Sequence, residues 1–375
     1  MRKVFYVCVA LLLIISCDRD KNGDVVNDTI LTIRNEIDLK LDYDTVSIEF
    51  DSIFLFNYKK FSSNGIIYAG YNSSHHSIDL FDLEKEQIMK SISLSREGPE
   101  SIGIVKGIFF HSIDSIFLVS DGSLCIFDSE GRLTRNILIN RSELYLSPGN
   151  EANNVFFDRL DKSIYIQNID NQYGQCSKDH YKVSILAKIR LDNESIELLP
   201  LYYPKIYSNS YYGFCVEPQY SFIDKRVILT FPIESSVYVY NIETKLTRGY
   251  GGESLLSKSL AEPLPWSACN DNDLKMRHFI ENVNFQRVIY DKWRNLFYRF
   301  HLSDIKGPDS QGRFKGPNQK KQILTIFNEN FEVLGEIELN ERRYITPSSF
   351  AGPKGLYLGA PSGENSLRFH ILKIV

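Results

Sequence analysis

Short apolar strands separated by polar turns run through most of the chain, and one of them recurs in six places. Ile66-Ile67-Tyr68, Ile116-Phe117-Leu118, Ile164-Tyr165-Ile166, Val227-Ile228-Leu229, Leu296-Phe297-Tyr298 and Leu356-Tyr357-Leu358 each follow a turn. Successive copies lie 50, 48, 63, 69 and 60 residues apart, the length of a four-stranded sheet with variable loops. An aspartate stands just before the strand in four copies: Asp114, Asp161, Asp224 and Asp291. A second element follows in the same order: Leu80-Phe81-Asp82, Ile126-Phe127-Asp128, Val239-Tyr240-Asn241 and Ile326-Phe327-Asn328. Each ends a strand with Asp or Asn, whose side chain accepts hydrogen bonds from the backbone ahead of it and starts a hairpin; Gly131 suits a left-handed position in one such turn. Two elements recurring in register predict an all-β fold, a six-bladed β-propeller rather than a two-sheet sandwich.

The ends of the pattern predict ring closure. After Leu356 the chain has room for one more strand, Leu367 to Val375, so the sixth blade lacks its outer strand. Ile30 to Leu41 alternates well enough to supply it, and the pairing would remove two exposed sheet edges. On this reading, removal of residues 29–41 is severely destabilising.

The N-terminus has a different pattern. Arg2 and Lys3 precede an unbroken apolar run, Val4 to Ile15, which is of secretory-signal length and short for a membrane span. It ends in Ile14-Ile15-Ser16-Cys17, which resembles a bacterial lipobox. The resemblance implies a signal peptide at 1–16, acylation of Cys17 by diacylglyceryl and a further acyl chain such as palmitate, and a stable membrane anchor, since one chain alone binds marginally. Residues 17–29 then read as the lipidated cysteine and a polar tether, and 30–375 as the propeller. The implied address is the bacterial cell envelope, at the outer membrane, with either leaflet open. Removing 1–16 takes away two positive charges and no acid, so the formal net charge changes from −4 to −6, which argues against nucleic acid as a partner. Cys125 sits in an apolar strand and reads as a buried thiol. An oxidising envelope permits one disulfide among Cys176, Cys215 and Cys269, and the spacings suggest neither a metal nor a cofactor.

Beside the repeat, Arg96-Glu97-Gly98-Pro99-Glu100 between blades, and Ile289-Tyr290-Asp291 followed by Tyr298-Arg299-Phe300, carry a likeness. Over roughly residues 30–375 the chain resembles a family of uncharacterised bacterial lipoproteins whose expected fold is a TolB-like six-bladed propeller. The family carries no assigned activity, and Gly98-Pro99 reads as an inter-blade turn.

Three stretches depart from the repeat, and loops on a rigid scaffold are where function tends to sit. Tyr202, Tyr203, Tyr207, Tyr211 and Tyr212 could stack on a protein or glycan ligand, or pack the blade edge. Asn270 to Asp273 could cap a helix with Met276, Phe279, Ile280 and Val283 on one face, preceded by Trp266, either as a lid or as a helix packed on a blade. Lys306 to Gln322 carries Lys306, Arg313, Lys315, Lys320 and Lys321 against Asp309 and reads as a solvated hairpin loop. No linear signature of a hydrolase, nucleotide site or zinc site is present, and His75-His76 falls in a blade turn. The preferred reading is an envelope-anchored, non-catalytic propeller that binds a protein or extracellular ligand through one face. The alternative is a propeller lyase or hydrolase with its site at the central channel mouth.

Overall fold

The computed structural model describes residues 45–49, 54–62, 65–140, 144–148, 155–169, 173–305, 307, 312, 315–339, 344, 346–361 and 366–373. The expected signal peptide at 1–16, Cys17 and the segment Ile30 to Leu41 lie outside the described residues. Six antiparallel sheets form a six-bladed β-propeller. Blade 1 runs Phe54–Ser62, Gly65–Asn72, Ser77–Asp82, Gln87–Ser93, and blade 2 Val105–Ser112, Ser115–Ser120, Ser123–Phe127, Leu133–Leu138. Blade 3 runs Val155–Asp158, Ser163–Ile169, Leu186–Arg190, Ile196–Leu198, with Tyr145–Leu146 pairing the far end of its second strand. Blade 4 is Gln219–Ile223, Arg226–Thr230, Val237–Asn241, Leu246–Tyr250; blade 5 is Asn284–Asp291, Leu296–Leu302, Gln322–Phe327, Val333–Leu339. The first strands of successive blades touch one another around the axis, so they are the inner ones.

All six recurring triplets fall on second strands, and the physical reason is burial. Second strands are covered on both faces by neighbouring blades, so Ile116 to Val119 and Val227 to Leu229 are buried without interruption. Fourth strands lie on the rim: Leu246–Tyr250 and most of Gln87–Ser93 are exposed, and their sequences are correspondingly polar. The Asp and Asn positions start hairpins as expected. Asp82 Oδ1 accepts from the Glu84 and Lys85 amides, and Asn241 Oδ1 from those of Glu243 and Thr244. Asp128 does the same ahead of Gly131, whose φ of 77° and approach to the Ser93 carbonyl leave no room for a side chain.

Ring closure is present, with a different strand. Blade 6 consists of Phe350–Gly352, Gly355–Pro361 and Ser366–Leu372, completed on the outside by Thr45–Glu49. The expectation of Ile30 to Leu41 in that place is therefore corrected. Alternation marks either segment as strand-like, but the outer strand of blade 6 must hand over to the inner strand of blade 1 at Phe54, and Thr45–Glu49 stands immediately before it. Among the described residues no helix is long and apolar enough to cross a membrane.

Deleting 45–49 should remove a ladder of five residue pairs. At about 1 kcal/mol net per hydrogen bond, the loss is on the order of 5 kcal/mol, comparable with the stability of many domains. Urea titration of the deleted chain should show no cooperative transition, or one at far lower denaturant; an unchanged midpoint would mean that the ring closes by another strand.

Candidate interaction face

Strand direction divides the propeller into two faces. On one, the first strand turns into the second and the third into the fourth, through short turns such as 224–225, 242–245, 292–295 and 353–354. On the other leave the longer connections, among them 94–104 to blade 2, 139–154 to blade 3, 170–185 within blade 3, 199–218 to blade 4, 251–283 to blade 5, 303–321 within blade 5 and 340–349 to blade 6. Three of them build a cap over blades 3 to 5. The 3-10 turns Lys178–Lys182 and Trp266–Asn270, helix α1 (Lys205–Asn209) and helix α2 (Asn272–Glu281) are its regular parts.

The disulfide Cys176–Cys269 joins the connection within blade 3 to the one between blades 4 and 5, with Cα atoms 5.6 Å apart. Of the three candidate cysteines, Cys215 is left as a buried thiol, its pKa pushed up to about 11 by burial, and Cys125 is a second one. Beneath the disulfide lies an aromatic cluster. Tyr181 packs on Tyr203, Tyr207 and Trp266, and Tyr211 lies against Trp266. The expectation that the tyrosine run offers a contact surface is corrected for Tyr207, Tyr211 and Tyr212, which are at most 2% exposed. Tyr203 and Trp266 are half-buried against the same core, and Tyr202 is open to solvent. The run falls in an irregular stretch, where no periodicity tells an inward tyrosine from an outward one.

Helix α2 starts as expected: the Asp271 carboxylate accepts from the Leu274 amide at 2.9 Å. Of the expected face, Phe279 and Val283 pack on the core, whereas Met276 faces solvent; His278 is buried beside them and donates through Nε2 to the Glu262 carbonyl. Lys320, expected in a solvated loop, is 1% exposed. Its ammonium donates to the Phe279 and Asn282 carbonyls at the C-terminal end of α2, where a cation is favoured.

Arg299 fastens the cap's base. Its guanidinium leaves the second strand of blade 5 and donates to five carbonyls: Gln286 at 2.7 Å, Ser235 at 2.5 Å, Phe231 at 3.0 Å, Glu234 at 3.1 Å and Ser236 at 3.5 Å. Four of these belong to the 231–236 hairpin of blade 4, so one side chain ties two blades. Burial pushes the Arg299 pKa down to about 9, which still leaves it charged at neutral pH. Beside it, His301 Nε2 meets the hydroxyls of Ser257 at 2.9 Å and Ser254 at 3.3 Å, and Glu336 also reaches Ser254. The types match a nucleophile, base and acid, but the geometry does not. Glu336 accepts from the Ser254 hydroxyl and the Leu255 and Leu256 amides instead of orienting the imidazole, whose Nδ1 has no partner. Burial first, then the Arg299 charge, push the His301 pKa down to about 3, too low for a general base. The group anchors turn 254–257 to blade 5.

The central channel is the other candidate. A cavity of about 270 Å³ on the axis is bounded by the inner strands, with Phe109, Phe156, Phe222 and Phe350 beside Arg287 and Ser221. Phe156 and Phe222 stack at 4.8 Å. Among the described residues, no group of three or more His, Cys, Asp or Glu could hold a metal there or elsewhere.

The capped face carries a group of exposed apolar side chains. Tyr202, Phe214, Leu255, Leu260, Leu274 and Met276 are each between 42% and 53% exposed, and all lie in its connections. Phe214 is brought to α2 by Lys275, whose ammonium lies 4.8 Å from its ring centroid. The fold and this face define a six-bladed propeller with a one-sided, disulfide-stitched cap. By sequence, the chain belongs to DUF4221, described as a domain of unknown function, whose family model matches residues 36–338. It is similar to the crystal structure of a DUF4221 member from Bacteroides vulgatus, with a TM-score of 0.74 and 22% identity over 88% of this chain and 97% of that one. A putative exported protein from Bacteroides fragilis matches with a TM-score of 0.55 and 8% identity, over 94% and 98% of the two chains. Both likenesses concern the fold. Among curated proteins, none matches the chain in sequence.

Two outcomes follow from the geometry. The disulfide closes a loop with a sequence separation of 93, so Cys176→Ser should cost about 4.5 kcal/mol, read as a lower melting temperature that reductant does not lower further. Because His301 is neutral when folded and ordinary when unfolded, it contributes stability above pH about 6.5 that is lost as pH falls toward 3, at roughly 1 kcal/mol per pH unit. His301→Gln should therefore flatten the acid limb of the stability curve; parallel wild-type and variant curves would contradict the burial argument.

Proposed function

We propose that the chain is an exported lipoprotein, acylated at Cys17, whose propeller is a binding module for a protein partner at the bacterial envelope. The observation that carries this reading is the gathering of solvent-exposed Tyr202, Phe214, Leu255, Leu260, Leu274 and Met276 on the one face from which the long connections leave. Singly exposed apolar residues are ordinary, but a concentration on one rigid unit is the property of an interaction surface. Aliphatic side chains around an exposed aromatic suit a protein surface better than a glycan, which needs a flat ring flanked by hydrogen-bonding groups. The Cys176–Cys269 bridge supports export, since such bonds persist in oxidising compartments. The lipobox-like Ile14-Ile15-Ser16-Cys17 supports the anchor.

A photo-crosslinking residue placed at Phe214 or Leu274 in living cells should give one adduct of the same mass from both positions. The same probe at Leu246, 61% exposed on the rim of blade 4, should give none. The adduct should also disappear when Met276→Glu is added to the same chain. Equal yields from all three positions, or an adduct indifferent to Met276→Glu, would remove the capped face as the binding surface.

A further inference from the structure

The direction of the closing strand decides which face the N-terminus leaves from. Thr45 pairs with His370 and Glu49 with Ser366, while His370 and Leu372 pair with Leu358 and Leu356, next to the 353–354 turn. The chain therefore enters Thr45 near the tight-turn face and leaves Glu49 toward the capped one. Cys17 lies upstream of Thr45, so the chain coming from the proposed anchor meets the closing strand at its tight-turn end.

That side is sorted by distance from the axis. The turns between first and second strands, nearest the axis, hold Ile113, Leu160 and Trp293, exposed by 43%, 88% and 38%. Cations outnumber acids in these turns: Arg159, Lys162, Lys225, Lys292, Arg294 and Lys354 against Asp114, Asp161 and Asp224, with the Lys292 ammonium 4.7 Å from the Trp293 ring centroid. The turns between third and fourth strands, farther out, are mainly acidic, with Glu84, Glu86, Glu130, Glu194 and Glu243. Between blades 2 and 3 on this side opens a cavity of about 530 Å³, with Phe117 and Phe157 in its wall, Arg159 and Lys162 at its edge, and Leu191 and Asp192 of an outer turn also lining it, Asp192 being paired with Arg190. Neither Arg159 nor Lys162 has an ion pair among the described residues, whereas Arg135 in the same wall is paired with Glu194.

We propose that the tight-turn face rests on the bilayer that holds the Cys17 lipid. Ile113, Leu160 and Trp293 enter the interfacial layer, and a phospholipid phosphate lies between Arg159 and Lys162. The proposal rests on the lipoprotein reading and adds an orientation to it. A protruding leucine and a tryptophan with a polar ring edge suit the headgroup boundary, and lysine and arginine beside them suit its phosphates. The acidic outer turns confine the contact to the axis. The capped face then points away from the membrane.

The chain has two tryptophans, Trp266 in the cap and Trp293 on the tight-turn face, so emission reports each face separately. The full-length lipoprotein would be reconstituted in vesicles of phosphatidylethanolamine and phosphatidylglycerol, with and without brominated acyl chains. Trp266→Phe, which leaves Trp293 as the reporter, should lose emission in the brominated vesicles. Trp293→Phe, which leaves Trp266, should not, and the wild type minus Trp293→Phe gives the same signal without altering the cap. Adding Leu160→Asp, Arg159→Ser and Lys162→Ser should abolish the Trp293 loss. A protein that floats with the vesicles while Trp293 stays bright, or quenching that survives the triple substitution, overturns the orientation and leaves the anchor standing. Quenching of Trp266 places the opposite face on the bilayer. A chain that does not float at all overturns the anchor, and the orientation with it.

Discussion

The pairing of Thr45–Glu49 with Ser366–Leu372 is the contact on which the rest of the structure depends. A propeller buries each blade between two others, so an open ring exposes the flank of its first and last blades together with two sheet edges. The tie joins the two ends of the described residues, and its strength is that of a short antiparallel ladder reinforced by packing. Tyr68 of blade 1 lies 5.3 Å from Phe369 and 6.2 Å from Phe350 of blade 6, so the two blades also share an aromatic seam. Closure orders both faces at once: it fixes where the chain enters, and it holds the long connections on the other side in one frame.

Within the ring, neighbouring blades are joined by polar ties as well as apolar packing. Arg299 crosses from blade 5 to the 231–236 hairpin of blade 4, Lys225 pairs with Asp158 across blades 4 and 3 at 2.6 Å, and Arg294 donates to the Gly352 and Pro353 carbonyls of blade 6. Arg299 is the most demanding of these, because a buried guanidinium is tolerated only when its donors are matched. Backbone carbonyls of a hairpin turn meet that demand, and the Glu234 carboxylate of the same hairpin adds a favourable charge. The result is a rigid junction under the cap, and it explains why the His301 cluster beside it is structural: a neutral imidazole next to a fixed cation has little tendency to take up a proton.

The cap and the tight-turn face are physically unlike. The cap is large, irregular, stitched by Cys176–Cys269 and rich in exposed apolar residues; the opposite face is made of hairpins whose geometry is set locally by Asp and Asn side chains. A scaffold of this kind holds the two faces apart on one rigid frame.

The repeat, the number of blades and the hairpin turns were legible in the sequence because they follow from burial and local hydrogen bonding. A second strand covered on both sides has to be continuously apolar, as Ile116 to Val119 are, and a turn-starting Asp82 or Asn241 acts on amides two or three residues away. The helix start at Asp271 was legible for the same reason. Tertiary structure alone decided what depends on distant partners. Alternation marked Ile30 to Leu41 as a strand, yet the pairing partner chose Thr45–Glu49. Five tyrosines looked alike in sequence, and three were drawn into the core by Tyr181, Phe231 and Trp266 from other blades. The pairing of Cys176 with Cys269, the burial of Lys320 on the end of α2 and the five carbonyls around Arg299 likewise depend on which loops the ring brings together, and no local pattern of residues encodes that.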